Sequence, residues 1–169
     1  PAPTTDPYDL RLPLTIAVDR VQAKRGQSSL WGPWPLQDLD GALDLGQLRH
    51  RADITQVTYG PWTLKGRGQV RTQRSLLGDL DVSAVGAYDP KGANLPLTAH
   101  VTAHGKLTSL SVSAQAQVGG AQRQQALDAQ AVVKLWAPWP LPSLHVKAKQ
   151  FDLSALLASL PKTTLTGSV

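Results

Sequence analysis

The sequence predicts an all-β protein built as one elongated sheet with a single short helix. Apolar and polar residues alternate through most of the 169 residues, which is the pattern of strands with one apolar face. All twelve acidic residues are aspartate and methionine is absent, so the chain lacks two strong helix formers. A motif of aromatic, small residue, Pro, Trp, any residue and Leu occurs three times, which indicates internal repetition.

The alternation predicts roughly nine or ten strands, spaced roughly 10–20 residues apart. In residues 62–71, Trp62, Leu64 and Val70 share a face with two glycines, opposite a face that includes Arg67 and Arg71. Gly66 and Gly68 within this strand suggest curvature or a bulge. In chain order, the alternating segments are 10–18, 39–45, 62–71, 80–84, 95–103, 110–118, 127–135, 144–148 and a strand that starts at 165.

Turns are predicted at residues 24–26, 89–92 and 119–120, where glycine and proline interrupt the pattern. One segment has a helical pattern: Asp152 is a candidate N-cap for residues 153–160, before Pro161. No stretch is long enough to be a linker, so we expect a single β-domain over residues 1–169. Because the last five residues resemble the start of a strand, we expect this domain to be a fragment of a longer, repetitive protein.

The three motif copies begin at Trp31, Tyr59 and Trp136, and they contain all five tryptophans. Proline removes a donor of the strand ladder and therefore belongs at strand starts or edges. Trp beside Pro is then expected to stiffen the corner and to cover the sheet edge. The alternative is that these tryptophans anchor the chain among lipid head groups.

Nothing in the sequence indicates catalysis, a cofactor or a metal site. Cysteine is absent, and no nucleophile or phosphate-loop motif occurs. His100 and His104 are four residues apart in a predicted strand, hence about 13 Å apart, too far to share one metal ion. Asp38, Asp40 and Asp44 alternate with leucines as surface charges. We therefore expect no enzyme.

The formal net charge of +5 and the pI near 9.8 fit a basic surface or an attraction to anionic lipid head groups. The seventeen basic residues are scattered, which disfavours nucleic acid as a partner. No stretch approaches 18 apolar residues, so no segment is predicted to span a membrane. The predicted apolar face contains Leu and Val with many Ala and Gly, which fits either a filled core or a sheet curled around a narrow channel.

Three segments carry a family resemblance. Residues 151–169 combine a short helical turn, a proline and Leu-Thr-Gly; residues 105–114 read Gly-x-Leu-x-x-Leu-x-Val-x-Ala; and residues 39–45 form a third such phrase. Together they resemble the TamB family, the inner-membrane subunits of the bacterial translocation and assembly module, within the AsmA-like superfamily.

The resemblance implies an elongated, open β-sheet curled into a trough (a β-taco) with an apolar concave face, in a periplasmic segment of an inner-membrane-anchored protein. It implies phospholipid transport between the inner and outer membranes, or outer-membrane protein assembly with the barrel partner TamA, and no catalytic residues. The implied groove lining comprises the aliphatic positions of the matching strands: Leu14, Ile16, Val18, Leu43, Leu45, Leu64, Val70, Leu80, Val82, Leu97, Val101, Leu110, Val112, Val118, Leu127, Val133, Leu144 and Val146.

Two other functions remain open. One is a chaperone-like or structural β-domain that binds nascent outer-membrane β-strands at its edges without conducting lipid. The other is a structural spacer with a closed core. In every case we expect weak self-association through the terminal strands, because exposed sheet edges pair readily.

Overall fold

The computed structural model describes residues 10–27, 35–73, 76–88, 95–119, 125–151 and 165–168. These residues form ten antiparallel strands in one sheet, which confirms the predicted all-β class. The strands are β1 (Ile16–Gly26), β2 (Leu36–Leu45), β3 (Arg49–Tyr59), β4 (Trp62–Arg71), β5 (Leu77–Tyr88), β6 (Leu95–Lys106), β7 (Ser109–Val118), β8 (Gln125–Val133), β9 (Ser143–Phe151) and β10 (Leu165–Ser168).

The topology is a simple meander in which each strand pairs with its neighbours in sequence. β1 and β10 are the two edges, so the sheet is open, as predicted. The structure corrects the expectation of a curl, because the sheet is uncurled. A physical reason lies in the register. The pairs from β4 to β9 run without a bulge, and bulges are a main means of bending a sheet.

The register shifts that do occur lie in β1–β3 and between β9 and β10. In β1 the shift lies between Val18 and Val21, and in β3 it lies between Ile54 and Val57. In β2, Asp38 has a positive φ of 51° beside the irregular pairing. A bulge changes the phase of the apolar–polar alternation, so these strands are harder to recognise from sequence.

Several strand boundaries differ from those predicted from the sequence. β1 begins at Ile16 rather than at residue 10, and it continues through residues 24–26, where a turn was predicted. β3 has no counterpart among the segments predicted by alternation. Gly119 lies in a turn with φ 108°, as predicted. The predicted turn at 89–92 and the predicted helix at 152–160 lie outside the described residues.

β4 behaves as the sequence predicts. Its residues alternate between half-buried and exposed along the whole strand, with Trp62, Leu64 and Val70 half-buried and Arg67 and Arg71 exposed. Gly66 packs closely: a Cβ there would lie 2.6 Å from the carbonyl oxygen of Asp81. It also lies opposite the shifted register of β3, so its small size belongs to an irregular, tightly approached part of the sheet.

The most densely packed part of the apolar face lies where β6 and β7 pair. Leu97 and Val118 are direct cross-strand partners and are almost fully buried, together with Ala116. The half-buried side chains packed against them are Trp62, Leu95, Ala99, Leu127 and Ala148. Burial of these aliphatic groups is the main local source of stability.

The connections at the other end of the sheet form a continuous border. We call it the loop rim: residues 10–15, 46–48, 72–73, 76, 107–108 and 134–142. Gln47 Nε2 donates to the Pro13 carbonyl at 3.2 Å, and Thr72 N donates to the Leu48 carbonyl at 3.0 Å. Leu107 N donates to the Leu76 carbonyl at 3.0 Å, and Leu135 N donates to the Leu107 carbonyl at 3.3 Å. These bonds join each loop to the next and satisfy backbone groups at the strand ends.

Candidate functional site

The strongest candidate site is the apolar face of the sheet, because one row of side chains crosses nine strands. Directly paired residues project from the same face of a sheet. The row is continuous from β1 to β9: Val18, Leu43, Ala52, Gly68, Leu80, Ala103, Val112, Ala131 and Leu144. Every member of it is apolar.

Neighbouring rows on this face are almost wholly apolar too. One runs through Ile16, Leu45, His50, Val70, Gly78, Gly105, Leu110 and Val133. Another runs from β4 to β9 through Leu64, Ala84, Ala99, Ala116, Leu127 and Ala148. The register thus brings the predicted lining residues onto one face, except for Leu14, which precedes β1 in the loop rim.

Packing on this face is uneven. Leu97 and Val118 are buried, whereas Ile16, Leu80 and Leu144 keep 43%, 42% and 49% of their surface exposed. A filled two-layer core would bury such residues almost completely. Within the described part of the chain, the sheet contains one layer, and much of its apolar face remains accessible.

A shallow apolar depression of about 370 Å³ lies on this face near the loop rim. Small residues on adjacent strands, Ala52, Gly68 and Gly78, lie between larger aliphatic side chains. The larger aliphatic residues that line it are Leu43, Leu45, Val70, Leu80, Leu107 and Leu110, and the polar residues that border it are His50, Arg51, Gln69 and Asp79. The shape follows from the alternation of small and large residues across the rows, and it suits an apolar group.

His50 is the polar exception in these rows, and sequence reasoning did not place it there. Its Nε2 lies 2.6 Å from the Leu10 carbonyl oxygen, so Nε2 carries the hydrogen. Its Nδ1 is buried without a partner among the described residues. The missing signal was β3 itself: its alternation continues only as far as Ile54, before the register shift, so the strand that puts His50 with Ala52 and Ile54 was not recognised. Leu107 was missed as well, because a turn residue has no strand periodicity.

The opposite face is polar and carries the ion pairs. His100 Nε2 lies 2.9 Å from the Asp81 carboxylate, and Arg67 Nη2 lies 3.8 Å from the same carboxylate. Arg20 donates to Asp40 at 2.9 Å, and this hydrogen bond lowers the pKa of the Asp40 carboxyl below its ordinary value. Both partners are solvent-exposed, so the pair adds little to stability.

This polar face also has a depression, of about 510 Å³, lined by Arg51, Arg67, Gln69, Asp79, Asp81, Thr102 and His104. His100 and His104 lie on this face, as predicted, opposite Ser83 and Asp79. No group of three potential metal ligands occurs among the described residues.

The second and third Trp-Pro motifs lie at connections between strands, but their environments differ. In the second copy, Gly60 and Pro61 form the turn between β3 and β4, with φ 57° at Gly60, and Tyr59 pairs with Trp62. The third copy lies in the loop between β8 and β9, where Trp139 is 72% exposed. Residues 31–34 of the first copy lie outside the described residues.

Of the described residues, none form a helix that is long and apolar enough to cross a membrane. Comparisons with protein-family models, with curated proteins and with solved structures find no match to this chain.

Proposed function

We propose that this chain is a segment of a periplasm-spanning protein whose apolar face carries phospholipid acyl chains between the inner and outer membranes, or serves outer-membrane protein assembly. One observation carries the proposal: an apolar row crosses nine paired strands, and no second layer covers it in the described part. Exposed apolar surfaces of this extent typically mark a binding site. The resemblance to the TamB family supports the same function.

The dimensions of the face fit acyl chains. Nine strands about 4.8 Å apart extend over about 38 Å, whereas the hydrocarbon core of a whole bilayer is about 30 Å thick. Each CH₂ group moved from water to this face contributes about 0.8 kcal/mol. Because the sheet is uncurled, one side of a bound acyl chain would face water. We therefore expect several chains to bind side by side, so that each shields its neighbours.

In this proposal the parent protein is anchored in the inner membrane and the segment lies in the periplasm. Its partners are phospholipids and, for the full-length protein, the outer-membrane barrel protein TamA. No cofactor is required, because transfer along an apolar surface breaks no covalent bond.

The proposal is tested by Val112→Asp, which puts a charge into the nine-strand row on the interior strand β7. Val112 is half-buried between Ala103 and Ala131, so the carboxylate can reach water and the sheet should stay folded. We expect bound phospholipid to fall by about tenfold or more, since a desolvated carboxylate opposes acyl-chain contact. Lipid extraction with mass spectrometry measures the loss, and circular dichroism checks the fold.

Ser113→Asp is the matched control, because this neighbouring residue lies on the polar face opposite Thr102. The Ser113→Asp variant should carry as much bound phospholipid as the wild type. Equal lipid in both variants, or wild-type protein that carries none, would refute the proposal. Unfolding of Val112→Asp would show that the face is an ordinary core, and a Val101→Asp variant with the same outcome would reinforce that conclusion.

A second candidate function has its own observation: β1 is an edge strand of eleven residues that pairs only with β2 in the described sheet. An edge of this length offers unpaired backbone groups to another strand. A nascent outer-membrane β-strand or a second copy of this chain could add there by strand pairing.

Edge pairing predicts weak self-association that a charge on β1 reduces. Ala17→Lys places two like charges near each other when two copies pair, so we expect the dissociation constant to rise about fivefold. Thr98→Lys, on the exposed polar face of the interior strand β6, should leave the dissociation constant unchanged. Sedimentation over a concentration series measures both. A wild-type protein that stays monomeric throughout would contradict the prediction.

A further inference from the structure

The loop rim exposes a row of large apolar side chains along one end of the sheet. Trp139 and Leu48 keep 72% and 65% of their surface in solvent. Leu14, Leu135 and Leu141 are exposed beside them. Leu48 lies between β2 and β3, and Trp139 lies between β8 and β9, so the row extends over roughly 29 Å at about 4.8 Å per strand. It is distinct from the apolar face, since it borders the strand ends.

Hydrogen bonds stabilise the conformation of the part of the loop rim that carries Trp139. Lys134 N donates to the Pro140 carbonyl at 2.8 Å, and Ala137 N donates to the Lys134 carbonyl at 3.2 Å. The indole Nε1 of Trp139 donates to the Leu141 carbonyl at 2.7 Å. An indole N–H without a partner would oppose transfer into an apolar medium. Here that donor is already satisfied, so the ring can leave water at low cost.

Among the described residues, the charge along this end is predominantly positive. The described residues of the loop rim contain no acidic residue, but they include Arg11 and Lys134. The strand ends that border the rim add Arg49, Arg71 and Lys106, all exposed. Arg49 and Arg71 are direct cross-strand partners. Like charges opposite each other destabilise a sheet, and Asp44 offsets them only through a 3.7 Å contact with Arg49. An anionic partner would relieve this repulsion.

We infer that the loop rim docks on the surface of a bilayer that contains anionic phospholipid. Tryptophan and leucine at the rim match the interfacial region, where aromatic rings are favoured. Arg71, Lys106 and Lys134 match the lipid phosphates, which attract basic residues near the surface. The rim would lie along the membrane over much of its length. This inference does not depend on acyl chains binding the apolar face.

The test is sedimentation of the whole chain with vesicles of phosphatidylcholine that contain about one quarter phosphatidylglycerol, against vesicles of phosphatidylcholine alone. We expect binding to the anionic vesicles that weakens with added salt. Trp139→Ser should lower the partition coefficient about tenfold, and the double variant Arg71→Gln with Lys106→Gln should lower it about tenfold or more.

Two control variants match these changes. Val85→Ser removes an apolar side chain that is 55% exposed but lies in the half of β5 that is remote from the loop rim. The double variant Lys24→Gln with Arg25→Gln removes two charges from the opposite end of the sheet. Both should bind vesicles like wild type. The inference is overturned if wild type binds both kinds of vesicle equally, if it binds neither, or if the controls lose as much binding as the rim variants.

Vesicle binding also separates this inference from the proposed function. Val112→Asp leaves the rim intact, so it should bind anionic vesicles like wild type even though it carries less extracted lipid. Trp139→Ser should show the reverse pattern. If Val112→Asp loses vesicle binding while Trp139→Ser keeps it, the apolar face is the membrane contact and the rim is not.

Discussion

Val118→Asp is expected to cost about 4 kcal/mol or more in the free energy of unfolding, which is a large part of the stability of a domain. Val118 is 1% exposed and is paired with Leu97, which is 2% exposed. A carboxylate there would be desolvated among apolar side chains, which include Leu97 and Trp62. Urea unfolding followed by circular dichroism measures the loss.

Two comparisons sharpen this prediction. Val85→Asp introduces the same group at a position that is 55% exposed on the polar face, so its cost should stay below about 1 kcal/mol. Burial raises the pKa of a carboxyl, so the deficit of Val118→Asp should shrink as the pH falls and the group becomes neutral. An equal cost for both variants would mean that the pairing of β6 and β7 is not the packed centre of the sheet.

Gly66→Ala is expected to destabilise the protein by about 2 kcal/mol, whereas Gly68→Ala is expected to be neutral or slightly stabilising. A Cβ at Gly66 would meet the Asp81 carbonyl oxygen at 2.6 Å and the Val82 Cα at 3.0 Å, and both are backbone atoms that cannot turn aside. At Gly68 the nearest atom is Leu80 Cδ1 at 3.3 Å, the end of a flexible side chain.

These two glycines make a stringent pair, because they share one strand and one face and differ in sequence position by two. Thermal unfolding of both variants measures the difference directly. If Gly68→Ala proved as costly as Gly66→Ala, the cause would be a general demand for glycine in β4 rather than close approach at one position.

Sequence reasoning succeeded where the alternation is unbroken. In β4, β6 and β7 the pattern predicted both the strand and its apolar face, because a period of two leaves one way to bury the apolar residues. It failed at β3 and in the second half of β1, where bulges put Val57 and Val21 out of phase with Ile54 and Val18. A phase change removes the signal even though both halves are strands.

The apolar face was predictable in its residues but not in its shape. Cross-strand register follows from the alternation once the hairpins are known, so most of the aliphatic positions named from the sequence share one face of the sheet. Whether the sheet curls depends on twist and bulges, which the apolar pattern does not encode. Trp139 is exposed and Trp62 is half-buried, although both occupy the same position of the motif. The motif alone therefore does not predict their exposure, which depends on the connection in which each one lies.

The meander also has a consequence for how the chain acquires its structure. Each strand finds its partner in the segment that immediately precedes it, so the described contacts close short loops, at low entropic cost. Because a chain is synthesised from its N-terminus, each new strand can pair with an edge that is already formed. Growth of this kind resembles nearest-neighbour propagation in repeat proteins, and two edges stay open at each step: that of β1 and that of the newest strand.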